Sequence, residues 1–534
     1  MMRDTIRAVL TFLTLSIAPW MTAGPPAAVA APRPAPTIEL RVMVLNIFYG
    51  GDELNLGNGQ FCLRPDGCPE TLARVVEAIR AADPDVVGIE EGERNAVTIA
   101  SALGWFASER MQIISRYPLI DPPGGDSTYI FVQLGPGKIA ALANVHLPAD
   151  PYGPYLVRDG ATADEVRALE VSLRLPALRD QLRVLPGLAS RGIPVFLAGD
   201  FNSPSHLDWT AEVAAVREVV RYPFAWPVSV ALANAGFSDS YRRIFPDPVA
   251  VPGFTWTPGG PESIKAEVHD RIDWVLAAGP ATARDSAVVG EVGGPDVVIF
   301  YDPWPTDHRG VVSTFDVTPG DSPILVAVAR RRVFVGEDLS ILFHAAARQG
   351  ERVGIVPAGG KGSAVVAVLS TGAGSPADGT LVFSTAGLAP GAYEGVLLDA
   401  KDVVLSRSPF WLYAPGTPPT VATSKSVYVI GEPISVSWAA APGNRWDWLG
   451  IFSPGESGNS KVAKTRNSGY GGNGHYRLYA YTRASIEGTT TFDANAFAGY
   501  TTWPLQPGNY EIRFLLDDGY QTVATSAPFK VVQP

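Results

Sequence analysis

Cysteine, basic residues and long apolar runs are all scarce in this chain of 534 residues, and each scarcity excludes something. With only two cysteines, Cys62 and Cys68, and no histidine near them, a four-ligand zinc site has no source of ligands there. In an oxidising compartment, Cys62-Leu-Arg-Pro-Asp-Gly-Cys68 reads instead as a loop closed by a disulfide over a Pro-Asp-Gly turn. Lysine and arginine total 42 against 53 aspartates and glutamates, a net charge of −11. Such an acidic surface repels phosphodiester backbones at long range and disfavours nonspecific nucleic-acid binding, although a local cation could still recruit a single phosphate. No basic cluster of the kind suited to inositol polyphosphates is visible. No Gly-x-Ser-x-Gly occurs, so covalent serine catalysis has no support. Gly359-Gly-Lys-Gly lacks the spacing of a Walker loop.

A single apolar run stands out, from Ala8 to Trp20. Arg3 and Arg7 precede it and the small-x-small triplet Ala28-Val29-Ala30 follows, the pattern of an export signal over residues 1–30, with an uncleaved anchor as the alternative. The run is too short to span a bilayer, and nothing later in the chain is long and apolar enough to do so. The expectation is a soluble protein secreted to the extracellular space, beginning with the Pro/Ala-rich spacer Ala31 to Pro36.

What is present is a globular chain, 46% hydrophobic and 18% charged, too long for one core; two or three domains are expected. From Ile38 to Val317 short strands alternate with helical segments. Strands are expected at Arg41–Ile47, Asp85–Glu91, Ile113–Leu119, Tyr129–Leu134, Lys138–His146, Arg271–Ala277 and Gly310–Val317. Helical spacing marks 70–82 and 163–190. The central stretch is Val195-Phe-Leu-Ala-Gly-Asp200-Phe-Asn202, an apolar run too brief for a helix that stops at a glycine and then presents an acid and an amide. A buried strand delivers polar groups to a sheet edge in this way, although Asp, Asn, Ser and Pro also favour an ordinary turn.

Other strand ends offer complementary groups: Asn46, Glu91, His146, Asp273, Asp307 and His308. Each alone has a structural excuse. Asp273 could pair with Arg271, and His146 could be satisfied beneath a proline turn. Together they fit phosphoester hydrolysis. A hard divalent cation takes oxygen ligands, a carboxylate orients or deprotonates water, and a histidine held by a carboxylate binds phosphoryl oxygens.

The ordered set Leu-Asn46-Ile, Asp85-Val-Val-Gly-Ile-Glu-Glu91, Ser115-Arg-Tyr-Pro, Asn144-Val-His146-Leu, Gly199-Asp-Phe-Asn202, Arg271-Ile-Asp273-Trp and Thr306-Asp-His308 resembles the endonuclease/exonuclease/phosphatase superfamily. The resemblance implies an α/β four-layer sandwich, two packed β-sheets flanked by helices, over residues 31–319. It further implies Glu91 as principal carboxylate for Mg²⁺ (Mn²⁺ or Ca²⁺ as alternatives), helped by Asn46, with Asp307 near the metal. Asp200 would activate the attacking water and Asn202 would steady it or the phosphate. His308 would contact the phosphate, oriented by Asp273, with Asp270 as a second register for that partner. His146 would donate to a phosphate or leaving-group oxygen. Two departures stand out: Glu90 occupies a usual glutamine position, adding negative charge expected to tighten or redirect metal binding, and Thr306 replaces a serine. The aromatic residues Tyr152, Tyr155, Trp226, Trp256 and Trp304 lie in nearby loops, either lining a site or packing turns.

Beyond Pro319 helical spacing gives way to short alternating strands that repeat. Val333-Phe-Val-Gly-Glu returns as Val427-Tyr-Val-Ile-Gly-Glu, and Leu388-Ala-Pro-Gly-Ala-Tyr393 as Leu505-Gln-Pro-Gly-Asn-Tyr510. Two all-β immunoglobulin-like sandwich modules, 320–416 and 417–534, fit the spacing. The second, with Trp446-Asp-Trp-Leu-Gly-Ile-Phe and Leu-Leu-Asp-Asp-Gly-Tyr520, resembles SKICH-type modules. Docking to a membrane surface, glycan or cell wall, or stiffening of the enzyme, is their expected role. The whole reads as a secreted phosphoester hydrolase acting on small-molecule or phospholipid-headgroup phosphoesters. A secreted DNA or RNA nuclease and an inactive surface-binding protein are the alternatives.

Overall fold

Alternation along one strand determines how the first domain is layered. In Ile38–Asn46, Leu40, Val42 and Val44 face one apolar cluster, while Met43 and Leu45 face another. A strand apolar on both faces must be covered on both. Burying each of these side chains contributes about 1.5–3 kcal/mol. The same division recurs in Val195–Asp200, where Phe196 and Ala198 share the cluster of Val42 and Val44, and Val195 and Leu197 turn the other way.

The structure, a computed structural model, describes residues 36–534 except 59, 63, 65–66, 94, 125–126, 259–266, 373–377, 457–475 and 499–500. The export signal expected over 1–30 lies outside the described residues. The first sheet runs Val297–Phe300, Ala281–Gly290, Gly310–Val317, Ile38–Asn46, Val86–Glu90, Ile113–Ser115, Phe106–Ser108. The second runs Ser238–Asp239, Asp273–Ala278, Val195–Asp200, Lys138–His146, Ile130–Gly135, Leu119–Ile120. Their inner faces share one cluster, with Pro69–Ala82 and Ala96–Leu103 packed outside the first sheet and Arg179–Ser190 and Pro227–Asn234 outside the second. This is the four-layer α/β sandwich.

Two expected elements are broken. The region read as helical over 163–190 is two helices, Ala163–Ala177 and Arg179–Ser190, parted at Leu178. The first starts on a capping box in which Thr162 and Glu165 satisfy each other's backbone N–H groups. The strand expected over 113–119 ends at Ser115, whose hydroxyl accepts from the Tyr117 N–H, and the chain crosses to the second sheet at Leu119–Ile120. The disulfide between Cys62 and Cys68 is formed.

Among the described residues, 325–532 form strands in two pairs of facing sheets, with one short 3-10 turn at Gly362–Ala364. The copies pair alike. Arg332–Phe334 joins Val404–Tyr413 in parallel as Val427–Val429 joins Phe529–Val532. Arg352–Pro357 lies antiparallel to Gly391–Leu398 as Trp448–Phe452 does to Gly508–Leu515. Tyr393 and Tyr510 each donate their hydroxyl to the carbonyl four residues upstream, Ala389 and Gln506, at 2.9 Å. Both copies belong with the first domain to one packing unit, Thr37–Pro534. No helix of the described residues is long and apolar enough to cross a membrane.

Candidate active site

Three neighbouring strands of the second sheet end level with one another. Asp200 is paired in register with His146 on one side and Asp273 on the other, so three ionisable side chains form one row on the inner face. Gly199 makes the row possible. Its φ is +153°, and a Cβ there would fall 2.0 Å from the Val145 carbonyl oxygen. The first sheet answers with Asn46 and Glu90, also in register, and Glu91 one residue beyond.

His308 enters from the start of Gly310–Val317. Its Nδ1 lies 3.0 Å from Asp273 Oδ2 and its Nε2 lies 3.7 Å from Asp200 Oδ2. Of the two registers open in the sequence, Asp273 therefore faces His308. Asp270 instead accepts from Trp209 Nε1 at 2.9 Å and Tyr152 Oη at 3.3 Å. Arg271 leaves Asp273 alone and binds Asp208 and Asp239 at 2.8 and 2.7 Å. His146 Nε2 is likewise 3.7 Å from Asp200 Oδ2, so two imidazoles converge on one carboxylate oxygen. Asn202, at φ +47°, donates its backbone N–H to Asp200 Oδ1 at 2.8 Å and its amide to the Leu147 carbonyl at 3.0 Å.

Asn46 ties the two sheets together. Its amide nitrogen donates to Glu91 Oε1 at 3.1 Å and Asp200 Oδ2 at 3.2 Å, while its oxygen accepts from the Phe48 N–H. In this orientation Asn46 bridges two carboxylates through its amide nitrogen, and its oxygen keeps a second lone pair beyond the Phe48 bond. Glu91 also accepts from the Tyr49 N–H at 2.8 Å. Thr306 donates to the Asn46 carbonyl at 2.8 Å, which brings the Thr306-Asp307-His308 segment against the first sheet.

Crowding of charge sets the protonation states. Burial disfavours a charged His308, but Asp273 and Asp200 outweigh it and lift its pKa to about 10. His146 is opposed by burial in the same way and lifted to about 10 by Asp518, Asp200 and Glu91. Burial and Asp273 raise Asp200 to about 6, with the two histidines pulling back. Asp307 rises to about 7, through burial and Glu91, against the pull of His308. Glu90 corrects the sequence reading. It is 1% exposed, neither oxygen has a hydrogen-bond partner, and burial with Asp273 and Asp200 pushes it well above the usual carboxylate range. The raised pKa favours the neutral acid beside Asn144, which is close to a glutamine in shape and charge.

The donor set fits a hard cation. Glu91 and Asp307 supply carboxylate oxygens, and Asp307 Oδ1 is buried without a partner. Asp200, Asp273 and His308 also cluster closely enough for three donor atoms to share an ion.

Sequence reasoning quoted Asn144 only within a motif, left Trp256 between lining a site and packing a turn, and missed Asp518. Asn144 donates to the Ile89 carbonyl at 2.8 Å and links the sheets; its place on the inner face, two residues before His146, was the signal. Trp256 stands 4.9 Å from the His308 ring. Of the other loop aromatics, Trp226 is fully buried in a separate cluster, and Trp304 donates to the His308 carbonyl at 2.7 Å. Asp518, beside His146, lies in the second β-module, where nothing local in the sequence pointed to the site.

The model of the Endonuclease/Exonuclease/phosphatase family matches residues 46–308, a span that begins at Asn46 and ends at His308. An uncharacterised protein of Caenorhabditis elegans is 29% identical over 306 residues, covering 52% of this chain and 91% of its own. Among solved structures, an endonuclease/exonuclease/phosphatase from Beutenbergia cavernae aligns at 18% identity over 70% of this chain and 100% of its own, with a TM-score of 0.31. An AP endonuclease from Archaeoglobus fulgidus aligns at 17% identity over 52% of this chain and 100% of its own, with a TM-score of 0.32. Through residues 46–308 the chain belongs to the endonuclease/exonuclease/phosphatase family.

Proposed function

We propose that the protein is a secreted, Mg²⁺-dependent phosphoester hydrolase acting on small-molecule or phospholipid-headgroup phosphoesters. The observation that carries this reading is the row His146, Asp200, Asp273, with His308 bonded to Asp273 and the Asn46–Glu91 pair facing it from the other sheet. Asp200 takes a proton from water and directs it in line at phosphorus. Asn202 holds Asp200 in place through its backbone N–H. His308 and His146, both charged, donate from Nε2 to oxygens that gain negative charge as the bond breaks. Mg²⁺, held by Glu91 and Asp307 with Asn46, would offset phosphoryl charge and stabilise the leaving oxygen. The net charge of −11 favours small and lipid-borne phosphoesters over nucleic acid.

Export is part of the proposal. It rests on the leader pattern of 1–30 and on the Cys62–Cys68 disulfide, which persists in oxidising compartments. The two β-modules are read as immunoglobulin-type sandwiches, supported by their face-to-face sheets and the paired tyrosine hydroxyl bonds.

The test sets sphingomyelin, inositol phosphates, nitrophenyl phosphate and bis-nitrophenyl phosphate against plasmid DNA and RNA, with Mg²⁺ and with chelator. The expected result is chelator-sensitive hydrolysis of small or lipid phosphoesters with nucleic acids intact. Prompt nicking of plasmid would move the protein to the nucleases, and inactivity on every substrate would overturn the hydrolase reading.

A further inference from the structure

His146 is held by a residue from outside the family domain. Asp518 lies 372 positions further along the chain, yet its Oδ2 is 2.5 Å from His146 Nδ1. The other ring nitrogen, Nε2, is the one that faces Asp200. Asp518 is itself fixed. Its Oδ1 accepts from Tyr481 Oη at 3.0 Å, and its N–H donates to the Trp446 carbonyl at 2.9 Å.

The turn that presents it is held on every side. Asp517 and Asp518 both have positive φ, 49° and 64°, a conformation that costs a non-glycine residue and persists only where its surroundings dictate it. Asp447 accepts from the Asp517 N–H at 3.1 Å, and Trp448 Nε1 donates to the Gly519 carbonyl at 2.9 Å. Gly519 lies against the loop after Glu91, where a Cβ would come within 2.7 Å of the Glu93 side chain. A backbone bond and a side-chain bond anchor the module beside it: the Arg445 N–H donates to the Arg110 carbonyl at 2.9 Å, and Arg110 Nε to the Gly443 carbonyl at 3.0 Å. In the first module, the turn after the corresponding strand closes on itself, with Asp399 accepting from the Lys401 and Val403 N–H groups at 2.8 Å.

We propose that Asp518 is a positioning residue, through which the second β-module orients His146 and so completes the active site of the first domain. A carboxylate at Nδ1 fixes the ring and keeps a proton on each nitrogen, which leaves Nε2–H aimed into the site as a donor. The module is then part of the catalytic unit rather than an appendage. That catalytic role rests on the phosphoester reading; the hold on His146 does not.

The test uses the full chain. Asp518→Asn is expected to lower kcat on bis-nitrophenyl phosphate by about ten- to a hundredfold with KM nearly unchanged, and Asp518→Glu to recover part of the loss. In a His146→Gln background, Asp518→Asn should cost nothing further, whereas a merely structural role would cost as much in both. Imidazole ¹⁵N spectra of histidine-labelled protein, with the His146 signals identified from His146→Gln, should shift in Asp518→Asn. A kcat within about twofold of the parent, or an additive loss in the His146→Gln background, would overturn the proposal. If the parent hydrolyses no phosphoester, the functional reading fails. The spectra then still decide whether Asp518 holds His146, and unmoved signals would refute it.

Discussion

A carboxylic acid shut between two sheets without a hydrogen-bond partner is stable there only with its proton on, and Glu90 is in that position. Glu90→Gln is therefore expected to keep kcat within about twofold of the parent. It should also change the pH dependence of stability. The folded-state pKa of Glu90 is raised above 4.5, so the folded chain holds that proton when the unfolded chain has lost it. Stability then falls as pH rises from 4.5 toward the raised value, and glutamine removes that loss. Melting temperatures across that window should show the variant gaining on the parent with rising pH; parallel curves would contradict a neutral Glu90. Asp200 has the opposite requirement, since it must be unprotonated to take a proton from water. Activity should fall as pH drops, with the acid limb of kcat/KM no higher than about 6, because a bound cation can only pull the carboxylate lower. A limb above about 7, the value to which Asp307 is raised, would point to another base.

Strands carried most of what the sequence disclosed. Alternating apolar residues identified Ile38–Asn46, Lys138–His146 and Val195–Asp200, and the polar residues at their ends proved to lie together. Parity is the reason: Asn46, His146 and Asp200 share the inner face with Val44, Leu142 and Ala198. Glu90 shares that face too, a consequence of strand parity that its neighbour Glu91 obscured. The breaks at Ser115 and Leu178 have local causes that strand and helix periodicity passes over: Ser115 closes on the Tyr117 N–H just before Pro118, and Pro176 lies in the last turn of Ala163–Ala177. Gly199 is where element geometry is least forgiving. Gly199→Ala should destabilise the fold by about 3 kcal/mol or more, measured by denaturant unfolding, since the new methyl meets the Val145 carbonyl. A loss below about 1 kcal/mol would mean that the strand ends can shift apart. The Cys62–Cys68 loop should behave differently. Its reduction is expected to cost about 2 kcal/mol of stability and leave kcat unchanged, because none of the site residues lies in that loop.

At the scale of the whole molecule, the sequence separates into a family domain and a repeated β region, and the structure packs them into one unit. Composition announced the β modules, and the repeat announced their kinship. The partner of the Leu-Leu-Asp-Asp-Gly-Tyr520 turn was not legible. A contact between residues 372 positions apart leaves no local signature, and a docking or stiffening role was the natural expectation. The turn instead faces inward, onto His146. Buried acids, two histidines and the oxygen donors beside them make the strand-end cluster the centre of the account.

The most direct measurement is hydrolysis of bis-nitrophenyl phosphate by the full chain and by Asp200→Asn, each with Mg²⁺ and with chelator. The account predicts turnover by the parent that chelator abolishes and Mg²⁺ restores, and a loss of about a hundred- to ten-thousandfold in the variant. Turnover that survives chelation, or an Asp200→Asn variant as active as the parent, would contradict it.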